Sequence, residues 1–384
     1  MAKQKVLIDA KVLSSTPSGI ARYLNQILIE LSESEYEIIL ASNAPLVAPH
    51  KFVGKYKTVT SNFTSEIGRM FWSSIILPII IYKLKPDIFW GVAHRIPWFV
   101  PKGIRKLLTV HDLVAFEMPE TMRFRGFLLN RLMMPNSIKR ADHIICVSQA
   151  TANSLRVFFP SAAEKTTVIH LGGNHFTLPS NRELKKCSIS KKTNAKEPQF
   201  LEKKYFLSVG TFEPRKNIEG LIRAFALLPS KLRSDHPLIF VGSNGWGGVS
   251  PESLAKQYGV SDNVFVLRSI SDHQLYNFYT KAYATVFVSH MEGFGLPLVE
   301  SYWADVPCIT SDHSSMREIS ASSNMLVNPR DYSEIANLML RLISDYEFYQ
   351  AELEHVREHK LRYVWKETAQ KTKAVFERLL DQPA

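Results

Sequence analysis

Cysteine is scarce in this chain. Three occur in 384 residues, Cys146, Cys187 and Cys308, odd in number, far apart and never as CxxC. That argues against a disulfide framework and for reduced thiols in a cytoplasmic protein. No two aspartates lie two residues apart, so a DxD metal motif is missing, and neither HExxH nor GxSxG occurs. The glycine-rich stretch 242–248 matches neither GxGxxG nor the Walker pattern and reads as a flexible loop. No helix-turn-helix, zinc-finger, RNP or KH pattern is found, which disfavours nucleic acid as a partner. Long apolar runs are lacking too. The longest, 70–82, is broken by Ser73, Ser74 and Pro78 and falls short of the roughly 20 residues a membrane span needs. The apolar run at 6–8 is too short for a signal peptide. What the chain has in excess is positive charge. A net charge of +11 favours polyanionic partners, such as an anionic membrane face or phosphorylated substrates, with solubility alone as the plainer reading.

A chain of 384 residues, 45% hydrophobic and 22% charged, is ordinary globular material and too long for one core. Apolar runs at 6–8, 36–41, 87–91, 107–110, 143–147 and 167–170 read as strands. Amphipathic stretches at 22–31, 69–84, 124–140 and 150–158 read as the helices between them, the last capped by Ser148. A second series follows. Its strands fall at 205–209, 238–241, 264–267, 285–288, 308–310 and 325–327, and its helices at 218–228, 251–258, 272–282, 298–303, 332–344 and 347–357. Alternating strands and helices predict parallel sheets, and two series predict an α/β protein of two doubly wound, Rossmann-like domains facing a cleft. The expected division is a first domain over 1–176, a basic linker or surface insertion over 177–204, a second domain over 205–364 and a last amphipathic helix over 365–384. The apolar residues of 69–84 read best as a helix buried among strands. The other reading joins them with Arg69, Lys83 and Lys85 as a basic-apolar patch at a membrane surface.

The chemistry concentrates in a few turns. At 291–300 the sequence MEGFGLPLVE sets Glu292 and Glu300 eight residues apart, after a strand and across a glycine turn that opens a helix near Pro297. Such a turn aims backbone N–H groups and the positive end of a helix dipole at one point, where an anion fits. A ligand with a phosphate in the middle and hydroxyls at both ends, such as a nucleotide sugar, would suit it. The turn GTFEPRKN at 210–217 follows a strand and carries Arg215 and Lys216, a fork and a point charge suited to a diphosphate. Gly19, in TPSGIARY at 16–23, permits close approach of backbone to a phosphate or sugar. His111 ends a strand in TVHD at 109–112, where it would hydrogen-bond a sugar hydroxyl or stabilise developing charge; satisfaction by Asp112 or the backbone is the alternative.

Taken together and in order, these motifs resemble those of the family-4 glycosyltransferases of GT-B fold, over nearly the whole length. The family's Glu-x7-Glu signature stands at Glu292 and Glu300, and its GT-x-E-P-R-K-N element at 210–217. T-V-H-D stands at 109–112, A-D-x-I-I-x-V-S at 141–148, S-G-I-x-R-Y at 18–23 and W-x-x-T-A at 365–369. The resemblance implies a retaining transfer from a nucleotide sugar, with no cofactor and no required metal, and a C-terminal helix that crosses back to the first domain. It also implies site roles. Arg215 and Lys216 would hold the donor diphosphate, Glu292 the sugar hydroxyls and Glu300 the ribose. The backbone of Gly293, Phe294, Gly295 and Leu296 would line sugar and phosphate, Gly19 would approach the phosphate, and His111 would contact the transferred sugar. The pattern departs from the family's at Thr211, Arg268, Ser301 and Asp305. Arg268 puts any base contact in doubt, and Asp305 is expected to tolerate a left-handed helix end.

The style of the two main motifs resembles bacterial mannosyltransferases of polysaccharide biosynthesis, with GDP-mannose as first donor and UDP-hexoses or dTDP-rhamnose left open. The acceptor would be a lipid-linked glycan or surface polysaccharide such as O-antigen or lipopolysaccharide. The location would be cytoplasmic, with peripheral contact at the inner membrane face. A non-catalytic scaffold of polysaccharide assembly is the rival from another class. As a turn residue adding little packing, Glu292 is expected to be replaceable without loss of folding.

Overall fold

The computed structural model describes residues 3–14, 18–47, 55–176 and 203–381. Most of the stretch read as a linker, 177–202, lies outside the described residues, as do Thr16, Pro17 and Cys187. The chain divides into two compact units, Met1–Gly172 with Trp365–Ala384, and Gly173–Val364.

The first unit is a seven-stranded sheet in the order β3-β2-β1-β4-β5-β6-β7. Its strands are β1 (Lys5–Asp9), β2 (Glu37–Ser42), β3 (Lys57–Thr60), β4 (Ile88–Gly91), β5 (Arg105–Val110), β6 (His143–Cys146) and β7 (Thr166–Val168). Every pair is parallel. A parallel sheet is covered on both faces, which is why IFWG in β4 and HIIC in β6 are buried at every position. The helices are α1 (Gly19–Glu30), α2 (Glu66–Phe71), α3 (Leu77–Leu84), α4 (Val114–Glu117), α5 (Phe124–Arg140) and α6 (Gln149–Phe158). Ser18 and Ser148 cap α1 and α6 by accepting from the backbone N–H of Ala21 and Thr151.

Strand β3 escapes the sequence reading because KTVT holds no apolar run; it is a largely exposed edge pairing only with β2. The helix expected over 69–84 is compound, with a π turn at Trp72–Ile76 between α2 and α3. The wider turn sits just ahead of Pro78, which has no N–H to give to the preceding turn. It is not a buried helix. Trp72, Leu77 and Ile81 join the core, whereas Ile67, Phe71, Ile75 and Ile79 are exposed.

The second unit is a six-stranded parallel sheet in the order β10-β9-β8-β11-β12-β13. Its strands are β8 (Phe206–Val209), β9 (Leu238–Val241), β10 (Val264–Leu267), β11 (Ala284–Phe287), β12 (Cys308–Ser311) and β13 (Leu326–Val327). The helices are α7 (Ile218–Ala226), α8 (Ser230–Asp235), α9 (Pro251–Gln257), α10 (Asp272–Lys281), α11 (Leu296–Trp303), α12 (Ser314–Ile319), α13 (Tyr332–Ser344) and α14 (Tyr346–His359). Asp305, just beyond α11, takes the left-handed conformation expected of it, with φ of 55°, and its carboxylate meets Lys360 at 2.6 Å. Helices α8 and α12 are six residues each, too short to show a helical period.

The final helix, α15 (Trp365–Asp381), belongs to the first unit. Its Phe376 meets Trp90 of β4 edge-on at 5.5 Å, and the Thr368 hydroxyl donates to the carbonyl of His170 at 2.8 Å. Trp365 is 1% exposed, beside Tyr23 of α1. Trp365→Ala should therefore cost this unit about 3–5 kcal/mol. Urea unfolding followed by far-UV circular dichroism would show the loss as an earlier midpoint, and an unmoved midpoint would contradict the packing role.

Candidate functional site

In an open parallel sheet the crevice forms where strand order reverses, beyond the carboxyl ends of the strands. In the second unit this point lies between β8 and β11. The turn 210–217 leaves β8 and the turn 288–295 leaves β11, so the topology brings both sequence motifs to one place. Asn217 bolts the turns together. It sits at φ 54° and its amide donates to the carbonyls of Val288 at 3.0 Å and Pro329 at 2.7 Å. The loop after β9 joins them at Gly242, where a Cβ would stand 1.8 Å from the carbonyl oxygen of Gly210. Only glycine permits that approach.

Glu292 is the centre of this site. It is 8% exposed, with Lys216 Nζ at 2.5 Å from Oε1 and Arg215 Nη1 at 2.7 Å from Oε2. Arg215 also donates to the Met291 carbonyl at 2.7 Å and pairs with Glu213 at 2.6 Å. Burial alone would raise the Glu292 pKa, but Arg215 and Lys216 outweigh it and hold the carboxyl down to about 2. Burial draws the Lys216 ammonium below its usual value despite the pull of Glu292. The backbone of Glu292 is fixed as well, its carbonyl accepting from the Ser314 and Ser315 hydroxyls at 2.6 and 2.9 Å. Glu292 is thus a tertiary anchor, and the expectation that it can be replaced without loss of folding is corrected. The reason is that removing one partner of a buried pair strands the other charges.

The turn continues through Gly293 and Phe294, which packs edge-on to Tyr363 at 6.0 Å, to Gly295. Gly295 has φ of 96° and immediately precedes Leu296, the first residue of α11. Within that helix Glu300 is 2% exposed. It accepts from the Tyr279 hydroxyl at 2.8 Å and has His175 Nε2 at 3.3 Å. Both carboxylates of the sequence signature are therefore engaged, Glu292 by two cations and Glu300 by a phenol, with an imidazole nitrogen nearby. Arg268 is held in a two-pronged pair with Glu252, at 2.5 and 3.1 Å, and lies over the Phe212 ring.

In the first unit strand order reverses between β1 and β4. Gly19 opens α1 after β1, and His111 follows β5. The His111 Nε2 lies 3.0 Å from the Val92 carbonyl, so Nε2–H donates and Nδ1 is left as the ring's acceptor. Burial, with His94 beside it, lowers the His111 pKa to about 3. The ring is neutral near pH 7. It suits a hydrogen bond to a hydroxyl, and it does not supply the positive charge that stabilising an oxyanion by an imidazolium would require. Among the described residues no group of three or more His, Cys, Asp or Glu side chains converges.

Sequence reasoning missed Ser314, Ser315, Tyr279, His175 and His94. The serines and Tyr279 sit in segments without glycine. His94 stands at φ 61°, with its ring 5.5 Å from that of His111.

Residues 17–174 match the family described as Glycosyltransferase Family 4, and residues 190–359 match Glycosyl transferases group 1. The chain belongs to the glycosyltransferases. Among its relatives, the serotype-specific mannosyltransferase WbdA of Escherichia coli is 28% identical over 329 residues, 79% of this chain but 38% of WbdA. This glycosyltransferase thus spans about two-fifths of the length of the WbdA relatives it matches. The O-antigen chain mannosyltransferase RfbU of Salmonella typhimurium is 29% identical, covering 85% of this chain and 87% of RfbU. Among solved structures, sucrose-phosphate synthase from Thermosynechococcus elongatus gives a TM-score of 0.75 at 18% identity, covering 98% and 99% of the two chains. Anabaena HepE in complex with UDP-glucose gives 0.71 at 16%, covering 98% and 100%. The fold of the glycosyltransferase is accordingly GT-B, two Rossmann-like parallel sheets.

Glu292→Gln should destabilise the second unit by about 3–5 kcal/mol near neutral pH. The native carboxyl titrates below its ordinary value, so its stabilisation is complete above about pH 4.5 and is lost as pH falls toward 2. Urea midpoints measured from pH 7 to pH 3 should show the variant's deficit shrinking with acid; a constant deficit would contradict the ion-pair account.

Proposed function

We propose that this glycosyltransferase moves mannose from GDP-mannose, with retention at the anomeric carbon and without a metal, onto a lipid-linked glycan or surface polysaccharide. The carrying observation is the buried Arg215–Glu292–Lys216 cluster at the switch point of the second unit. The mannosyl choice rests on WbdA and RfbU, both named mannosyltransferases. The site of action would be the cytoplasmic face of the membrane, where such acceptors are built.

Each oxygen of Glu292 takes one cation and keeps a lone pair for another donor. A carboxylate so fixed is an oriented acceptor for sugar hydroxyls. Lys216 directs one of its three donors to Glu292, and Arg215, its fork held by Glu292, Glu213 and the Met291 carbonyl, adds a fixed cation, so a donor diphosphate beside them would meet charge already in position. Backbone N–H groups around Gly293 to Leu296 and the start of α11 add a favourable dipole. Glu300 would take the ribose hydroxyls. In the first unit the reading assigns Gly19 to backbone approach toward an anion and neutral His111 to a hydroxyl of the transferred sugar. Departure of the nucleoside diphosphate puts charge on the leaving phosphate oxygen, and that oxygen accepts the acceptor's proton. Stabilising it is then the main catalytic task, for which fixed cations need no reorganisation.

The test is turnover with GDP-mannose, UDP-glucose, UDP-galactose and dTDP-rhamnose on a membrane-extracted glycolipid acceptor. GDP-mannose should be transferred, and Arg215→Ala or Lys216→Ala should lower kcat/KM by about 100-fold or more. Transfer from a UDP-sugar alone, the kind of nucleotide sugar bound in the HepE complex, would move the proposal to a UDP-hexose. No binding or turnover with any donor would leave a scaffold.

A further inference from the structure

The first unit carries an apolar surface that the site does not use. The compound helix Glu66–Leu84 is 19 residues long and, among the described residues, the one helix apolar enough by composition to cross a membrane. It does not cross one as folded, because Trp72, Leu77 and Ile81 are locked in the unit's core. Its outer face is left to solvent. Ile67, Phe71, Ile75 and Ile79 recur every four residues along it, Ile67 being 82% exposed. A second stripe of the same spacing, Phe124, Leu128 and Leu132, runs along α5, with Phe124 75% exposed. Arg125 and Glu66, 3.3 Å apart, tie the beginnings of the two stripes together. In the loop after β4, Trp98 and Phe99 are exposed as well. Soluble surfaces rarely leave this many large apolar side chains together without a use.

Charge says what covers them. Residues 66–140 hold twelve Lys and Arg against five Asp and Glu, among them Arg69 and Lys83 in the compound helix and Lys85 just after it. A second copy of the chain laid on this face would set like charge against like. An anionic bilayer complements both components at once, taking the apolar stripe at the acyl boundary and the cations at the headgroups. We infer that the outer face of Glu66–Leu84, with the start of α5, docks the chain on an anionic bilayer. The inference deepens the proposed location but stands on this surface alone, independently of which donor is used.

The full chain would be sedimented with vesicles of phosphatidylcholine, with and without phosphatidylglycerol. Binding should require phosphatidylglycerol and weaken with salt. Phe71→Glu with Ile75→Glu should abolish it, and Lys83→Gln with Lys85→Gln should weaken it about 25-fold, roughly five-fold per cation. Transfer to a short water-soluble acceptor should be unchanged in both variants, which separates this claim from the identity of the donor. No binding, equal binding to both vesicles, or binding untouched by the substitutions would overturn the inference. So would a dimer in light scattering that the same substitutions dissolve.

Discussion

A carboxylate taken out of water must find replacement charge, and Glu292 finds two cations. Much of the second unit's upper edge answers to that requirement. Arg215 and Lys216 reach it because the turn after β8 is folded back by Asn217, whose amide bonds two other turns. Glu292 itself is positioned by Ser314 and Ser315 from beyond β12. Loops following three of the unit's six strands, β8, β11 and β12, thus converge on one charged group. The charged groups are thus held by the protein's own contacts, each fixed by partners from another turn.

The two units repeat one architectural solution with different contents. Each has a parallel sheet that reverses order at an inner strand pair, and each places its distinctive side chains in turns just past that point. The second unit fills its turns with ionised groups. The first offers a glycine-led helix and a histidine that burial keeps neutral.

Most of the fold was legible because both sheets are parallel. Strands buried on both faces appear as short continuous apolar runs, and β9, β10, α5 and α13 fall where the sequence places them. Strand β3 was not legible, since an edge exposed to water needs no apolar residues. At the site, the spacing of Glu292 and Glu300 and the cations of 215–216 could be read as separate motifs. That Lys216 and Glu292 pair could not, because 76 residues separate them and only the sheet's strand order brings them together. The exposed face of Glu66–Leu84 was misread for a related reason. Apolar composition says that a helix seeks a non-aqueous neighbour; it does not say which side finds one.

The chain's path carries a consequence for its making. Gly173–Val364 is continuous, whereas the unit around β1 to β7 is completed only by α15 at the far end. During synthesis the second unit has all its strands before the first has its last helix. Until then the pocket beside Trp90 and Tyr36 that receives Phe376 is open on the nascent chain. Burial of that pocket must wait for α15, a long-range contact of the kind that favours slow assembly. The first unit is therefore sealed after the strands of the second have been made.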